Sequence, residues 1–393
     1  MKTVRADEYC KFVTDGTHDS PKQVNKGRKL ITSKHLGRYG IDFESAKSIS
    51  EMDYQKVISR SKVEQWDILF SMIGTIGNVY LERNYAIEYA CKNMGIFQLG
   101  GDEKKAKWLY YYLQTPKAKE YIVTSGRGTT QSYVPLGALR ALPIDVVDDF
   151  TRDKVIEILW NIDEKILTNI RVNENLEEQA QAYFEALFVA NADPSWPECT
   201  LSDIGSIVAG GTPSKSKAEY YAAQGIAWIT PKDLSVDKSK FISRGENDIS
   251  ELGFSKSSAT KMPAGTVLFS SRAPIGYIAI AQNEITTNQG FKSVIPNKNI
   301  GTAYVYFLLK NLLPTIEGIA SGSTFKEISG AGMKSVPTVM PDVDTVQFFN
   351  DFCEPIFKEQ EVLEAENRKF SALRDSLLPK LMSGEIDVSA LDV

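Results

Sequence analysis

The chain repeats itself, and that duplication limits its architecture more than any other feature. Gly16-Thr17 recurs as Gly211-Thr212, and Ile31-Thr32-Ser33-Lys34-His35-Leu36 as Ile229-Thr230-Pro231-Lys232-Asp233-Leu234. Leu69-Phe70-Ser71 with Ile76-Gly77 recurs as Leu268-Phe269-Ser270 with Ile275-Gly276. Asn93-Met94-Gly95 recurs as Asn288-Gln289-Gly290, Ser125-Gly126 as Ser321-Gly322, and Pro143 as Pro337. The spacings are 195, 198, 199, 195, 196 and 194 residues, drifting as short loop insertions make them drift. One match is chance; six in the same order make two copies of one unit, each about half of 393 residues.

Each copy has two parts. The first carries β-branched and aromatic runs broken by Gly, Pro, Asn and Ser, from Val63 to Ile76 and from Thr266 to Ala281, which read as strands and turns. A helical stretch follows in each, Lys105 to Tyr121 and Ala303 to Ile319. The second part is a long helix. Steps of four and three through Val155, Leu159, Ile162, Ile166, Asn169, Asn173, Leu176, Ala180, Tyr183 and Leu187 meet eight apolar residues in ten. Shifted by 194, they meet Phe349, Cys353, Ile356, Gln360, Leu363, Asn367, Phe370, Arg374, Leu377 and Leu381, seven apolar in ten. Sustained spacing of this kind specifies a coiled coil. An ordinary amphipathic helix packed on its own domain is the alternative, weakened because two such helices follow equivalent domains. Asn173 and Asn367 occupy equivalent seam positions, either as a register lock where antiparallel helices cross or as exposed residues on a slightly rotated helix. From 151 to 189 such a rod is ~57 Å long at ~1.5 Å per residue. The expected fold is therefore α+β: two similar mixed α/β domains separated by two long helices in an antiparallel coiled coil, with a pseudo-two-fold internal repeat. The expected divisions are 1–150, 151–196, 197–342 and 343–393.

Little of the sequence points to chemistry. With two histidines, His18 and His35, a histidine zinc site or a serine triad has little to build on. No G-x-x-x-x-G-K-[ST] loop is present, and Gly126-Arg127-Gly128 and Gly330-Ala331-Gly332 are too short for a dinucleotide fingerprint. There is no Asn/Asp-Pro-Pro-aromatic tetrapeptide, and Pro341-Asp342 lacks a downstream Glu-x-Lys. A binder, not a catalyst, is expected. Cys10, Cys91, Cys199 and Cys353 are far apart, no apolar run reaches membrane-helix length, and no secretory leader is visible, so a cytoplasmic protein is expected.

The net charge of −5 conceals a division. Residues 1–150 carry +4 and 197–342 carry +2, whereas 151–196 carry −5 and 343–393 carry −6. Mildly basic domains tolerate duplex DNA, and acidic rods face a protein or solvent.

These residues carry a family resemblance. The chain resembles the specificity subunit of a type I restriction–modification system. In the second copy the similarity runs through Leu201-Ser202-Asp203-Ile204-Gly205, Gly210-Gly211-Thr212-Pro213-Ser214, Trp228-Ile229-Thr230-Pro231-Lys232-Asp233-Leu234, Ser270-Ser271-Arg272-Ala273-Pro274, Thr287-Asn288-Gln289-Gly290-Phe291 and Ser321-Gly322-Ser323-Thr324. It ends at Leu378-Pro379-Lys380-Leu381-Met382-Ser383-Gly384-Glu385-Ile386. The first copy departs from it, with Asp15-Gly16-Thr17-His18, Ile73-Gly74-Thr75 and Met94 at the corresponding places. The resemblance implies a non-catalytic reader of double-stranded DNA, with two target-recognition domains that each bind one half of a split, asymmetric target. It also implies helices that set the gap and dock two methyltransferase subunits, which bring S-adenosylmethionine, with restriction/translocase subunits joining them. The chain itself would hold no cofactor and no metal. For phosphate and base contacts the candidates are Thr17, His18, Lys34, Arg127, Thr129 and Gln131 in the first copy. In the second they are Thr212, Ser214, Lys215, Lys232, Arg272, Ser323, Thr324 and Lys326. Asn288-Gln289-Gly290, recurring as Asn93-x-Gly95, is expected to be a shared turn. The rival reading is a coiled-coil adaptor that binds only proteins.

Overall fold

Strands form where the sequence carries short runs covered on both faces. In the computed structural model, which describes residues 2–128, 132–322 and 326–389, Ile68–Ser71 and Val267–Ser271 are buried along their whole length, each inside its sheet. Contacts divide the chain into two units, residues 1–167 with 369–393, and residues 168–368.

In the first unit a four-stranded sheet runs in the order Phe12–Asp15, Met94–Gln98, Ile68–Ser71, Val79–Leu81. A second sheet orders Ser48–Ile49, Arg28–Ile31 and Tyr89–Cys91, the last two parallel. A ribbon of Lys2–Arg5 with Pro143–Val146 leads into the long helix Asp149–Glu185. Trp108, Tyr111, Phe70 and Phe97 fill the core, and Trp108 Nε1 donates to Asp145 O at 2.9 Å.

The second unit repeats this plan. Gly205–Ala209, Lys292–Pro296, Val267–Ser271, Ile275–Ala281 and Phe241–Ile242 form one sheet. Tyr221–Ala222, Asn247–Ile249, Ile226–Ile229 and Thr286–Thr287 form the other, again with one parallel pair. The ribbon Glu198–Thr200 with Pro337–Val339 leads to Val343–Ser383. The repeat extends to close backbone approaches. A Cβ at Gly27 would lie 2.0 Å from Ile49 O, and one at Gly225 would lie 2.5 Å from Ile249 O. Side chains are excluded at both turns for the same reason.

The two helical stretches expected from Lys105 and Ala303 are each broken. Glu103–Tyr112 and Pro116–Ser125 meet where Thr115 Oγ1 accepts from Ala118 N at 3.3 Å and Pro116 opens a new first turn. Thr302–Asn311 and Leu313–Ile319 break alike beside Pro314.

Each unit contains a piece of both long helices, packed antiparallel. In the first, Val155, Ile156 and Leu159 share a core with Leu378, Leu381 and Met382, and Arg374 Nη1 donates to Asp163 Oδ1 at 2.9 Å. In the second, Asn169 Nδ2 donates to Glu366 Oε2 at 3.0 Å, Gln360 Nε2 donates to Asn173 O at 3.1 Å, and the Tyr183 and Phe352 rings pack at a tilt with centroids 4.4 Å apart. Partner numbers fall as residue numbers rise. None of the expected seam residues is exposed. Asn173 and Asn367 are half-buried, not exposed, but they do not bond each other: the Oδ1 atom of each is buried without a hydrogen-bond partner. The polar crossings fall instead to Asn169–Glu366 and Gln360–Asn173 O. The second long helix stops at Ser383, where Gly384 takes φ 77° and Ile386 N returns to Lys380 O at 3.2 Å.

Candidate nucleic-acid interface

In the second unit a single groove gathers several candidate residues. A cavity of about 700 Å³ is lined by Thr212, Lys215, Lys232 and Arg272, together with Trp228, Tyr221, Asn247, Asn288 and Gln289. Local chemistry builds its walls. Trp228 Nε1 donates to Gly211 O at 3.0 Å and Tyr221 Oη donates to Pro213 O at 2.9 Å, which pins the Gly-Gly-Thr-Pro loop to the strand beneath it. Thr230 caps the helix Pro231–Val236 through Asp233, whose other oxygen accepts from Glu246 N at 2.7 Å. Lys232 Nζ therefore reaches Glu246 Oε2 at 2.6 Å on the rim.

Arg272 Nη1 lies 3.3 Å from Glu327 Oε2, and buried Lys292 lies 3.9 Å from Oε1 of the same carboxylate. Burial pushes the Lys292 ammonium below its usual pKa, with Glu327 opposing. Lys215 is exposed. Thr212 Oγ1 is buried with no hydrogen-bond partner. Ser214 is exposed with its hydroxyl 2.9 Å from Ser216 Oγ, and Lys326 is exposed next to Glu327; neither lines the groove.

The first unit has a cavity of about 770 Å³ lined by Thr17, His18, Lys56 and Arg60 among others. His18 is held at both ring nitrogens, Nε2 at 2.9 Å from Asp15 Oδ2 and Nδ1 at 2.9 Å from Asn93 Oδ1. Thr17 Oγ1 accepts from Asp19 N at 3.1 Å, a local turn. Lys34 and Arg127 are exposed outside this cavity; Arg127 exchanges two backbone hydrogen bonds of 2.8 Å with Tyr133. Thr129, Gln131, Ser323 and Thr324 lie outside the described residues.

Two pairs of groove residues are absent from the sequence candidates. Lys56 and Arg60 stand one turn apart on the helix Glu51–Ser61, a spacing that puts both on one face. Asn247 and Gln289 line the groove of the second unit. The Asn288-Gln289-Gly290 turn is present, since Asn288 Oδ1 accepts from Gly290 N at 2.8 Å, but its central residue is exposed at the groove.

Each unit also holds a buried polar cluster that includes residues of both long helices. In the second unit the Lys240 ammonium pairs with Glu177, donates to Gln360 Oε1 at 2.5 Å and sits 4.1 Å from the Phe357 ring centroid. Lys240 N and Phe241 N donate to Glu364 at 2.7 and 3.1 Å. Burial opposes the charge on Glu177, but Lys240 and Lys310 outweigh it and hold its carboxyl below the usual range. In the first unit Asp163 accepts from Arg374, from Tyr39 Oη at 2.9 Å and from Tyr111 Oη at 2.9 Å. Among the described residues no helix is long and apolar enough to cross a membrane.

Comparison with known proteins agrees with this architecture. The family model for the type I restriction modification DNA specificity domain matches residues 22–178 and 194–359. Over 190 residues the chain is 38% identical to the MjaIX type I restriction enzyme specificity subunit of Methanocaldococcus jannaschii, an alignment covering 46% of this chain and 44% of that one. Over 407 residues it is 21% identical to the HindI specificity subunit of Haemophilus influenzae, covering 84% and 88%. Its fold is similar to the crystal structure of the type I restriction–modification S subunit from M. genitalium, with a TM-score of 0.53 at 17% identity over 97% of this chain and 95% of that one.

Proposed function

The chain belongs to the type I restriction modification DNA specificity domain family, and from that membership we propose that it is the DNA sequence-recognition subunit of a restriction–modification complex. Its target is a bipartite, asymmetric duplex site. Residues 1–150 and 197–342 are the two target-recognition domains, and 151–196 and 343–393 the helical segments that set the gap. The helices dock two methyltransferase subunits, which recruit restriction/translocase subunits. In this reading the chain performs no chemical step itself, carries no cofactor and works in the cytoplasm.

The observation that carries the reading is the groove of the second unit. There Thr212 and Lys215 of one loop, with Lys232 and Arg272 from two distant segments, line one cavity together with two exposed amides. Cations at the rim hold phosphates, and amides meet base edges. Both copies carry a cavity beside the loop after the first strand of the main sheet, which supports two reading heads.

The test is duplex binding against salt, with the chain alone and with its co-encoded methyltransferase subunit. Counterion release makes log affinity fall linearly with log salt. A steep fall is expected for the complex. A flat response overturns the reading in favour of a protein-only adaptor.

A further inference from the structure

We propose that Gln289, assisted by Asn247, is the base-reading element of the second unit, and that it recognises the major-groove edge of an adenine. The inference rests on the DNA-reading function above and names the chemistry of one contact within it.

Hydrogen-bonding capacity singles these residues out. Most polar groups around the groove are already committed. Asn288 Oδ1 is occupied by Gly290 N, Asp233 by Thr230 and Glu246 N, Lys232 by Glu246, and Arg272 by Glu327. The side-chain amides of Gln289 and Asn247 are exposed, and among the described residues they make no hydrogen bond. An amide offers one acceptor and two donors in one plane, which matches the N7 acceptor and N6 donor of adenine and no other base edge as well.

The mount is rigid, as selective reading requires. Asn288 N donates to Ile229 O at 2.9 Å, and Lys292 Nζ lies 3.5 Å from Gln289 O. Against the same turn lies Gly210, where a Cβ would come within 2.0 Å of Asn288 O. A side chain at Gly210 would push the turn away, so the glycine sets where Gln289 stands. Asn247 sits on the strand Asn247–Ile249, in register with Trp228.

The first unit lacks this device. The pairings Ser71–Met94 and Ser270–Phe291 make Met94 the counterpart of buried Phe291, and the turn before it carries Lys92 and Asn93, whose Oδ1 lies 2.9 Å from His18 Nδ1. The two halves of the target are therefore read by different chemistry.

The test uses the full chain with its co-encoded methyltransferase subunit and a library of randomised DNA duplexes, with bound sequences recovered and read. The wild type is expected to enrich a split motif. Gln289→Ala should lose the preference for A·T at one position of one half, retain the other half, and leave the salt slope unchanged. Asn247→Ala should weaken preference at the same or the adjacent position. In a second arm, 7-deazaadenine at that position removes the N7 acceptor. It should lower wild-type binding on the order of tenfold and leave Gln289→Ala unaffected. Both side chains are exposed, so melting temperatures should match the wild type. Recovery of the unaltered motif by Gln289→Ala, or an equal response of wild type and variant to the deaza base, overturns the assignment. If the wild type enriches no motif at all, the DNA-reading function itself fails, and this inference with it.

Discussion

Single side chains in this protein do two kinds of work, and their surroundings separate them. Arg272 is half-exposed beside Glu327 and free to exchange that partner for a phosphate or a guanine. Arg272→Ala should reduce target affinity by roughly 1–3 kcal/mol while the melting temperature holds; unchanged methylation of the target would remove Arg272 from the contact set. Asp67, by contrast, is buried structure. Burial raises its pKa to about 6, against the pull of two backbone donors, Glu64 N at 2.8 Å and Leu99 N at 3.1 Å. Its folded pKa exceeds its unfolded one, so the folded state binds more protons in between. Stability should therefore decline as pH rises from about 4 to about 7, by at most roughly 3 kcal/mol. Asp67→Asn should flatten urea midpoints across that window, and an unchanged pH slope would show the carboxyl plays no part. At this scale the sequence was only partly legible. Thr212 and Lys232 sit in repeated motifs, Lys215 and Arg272 lie a few residues from them, and all four fold into one groove. Gln289 was hidden because Asn-x-Gly advertises a turn and says nothing about where the middle residue faces.

Among the elements, the long helices were the most legible, because a heptad seam depends on spacing alone. What lies across the seam was not. Lys240 with Glu177, and Asp163 with Tyr39 and Arg374, join positions that no local pattern relates. The break before Pro116 was readable in principle, since a proline ring disfavours helix at the residue before it. Two predictions belong here. Replacing both Asn173 and Asn367 with Leu should raise the melting temperature, because each carries a buried carbonyl oxygen with no partner; a large loss would show that the amides hold register after all. Arg374→Ala should destabilise the first unit by about 3–5 kcal/mol, because it strips Asp163 of its charge partner in a buried site. Asp163→Leu with Arg374→Leu should recover much of that loss in chemical denaturation, and a double variant as weak as the single one would contradict the account.

For the molecule as a whole, duplication was visible in the sequence because six short motifs kept their order, and the strand order of both units repeats it. Divergence at the tips was visible too, though its meaning required Gln289 to be seen exposed, and the strand register moves Met94 from the place of Gln289 to that of buried Phe291. If the helices set the gap between half-sites, one heptad inserted in both should change the spacer in the methylated motif of the host genome. An intact complex with the same spacer would rule out the ruler.

The first unit is assembled from residues 1–167 and from 369 onward, with Leu378, Leu381, Met382 and Val388 in its core. Translation delivers those four only after the whole of the second unit. While the ribosome is still making the second unit, the opening domain waits with Val155 and Leu159 uncovered, and a nascent chain halted before Lys369 presents an apolar stripe to whatever chaperone or protease meets it first.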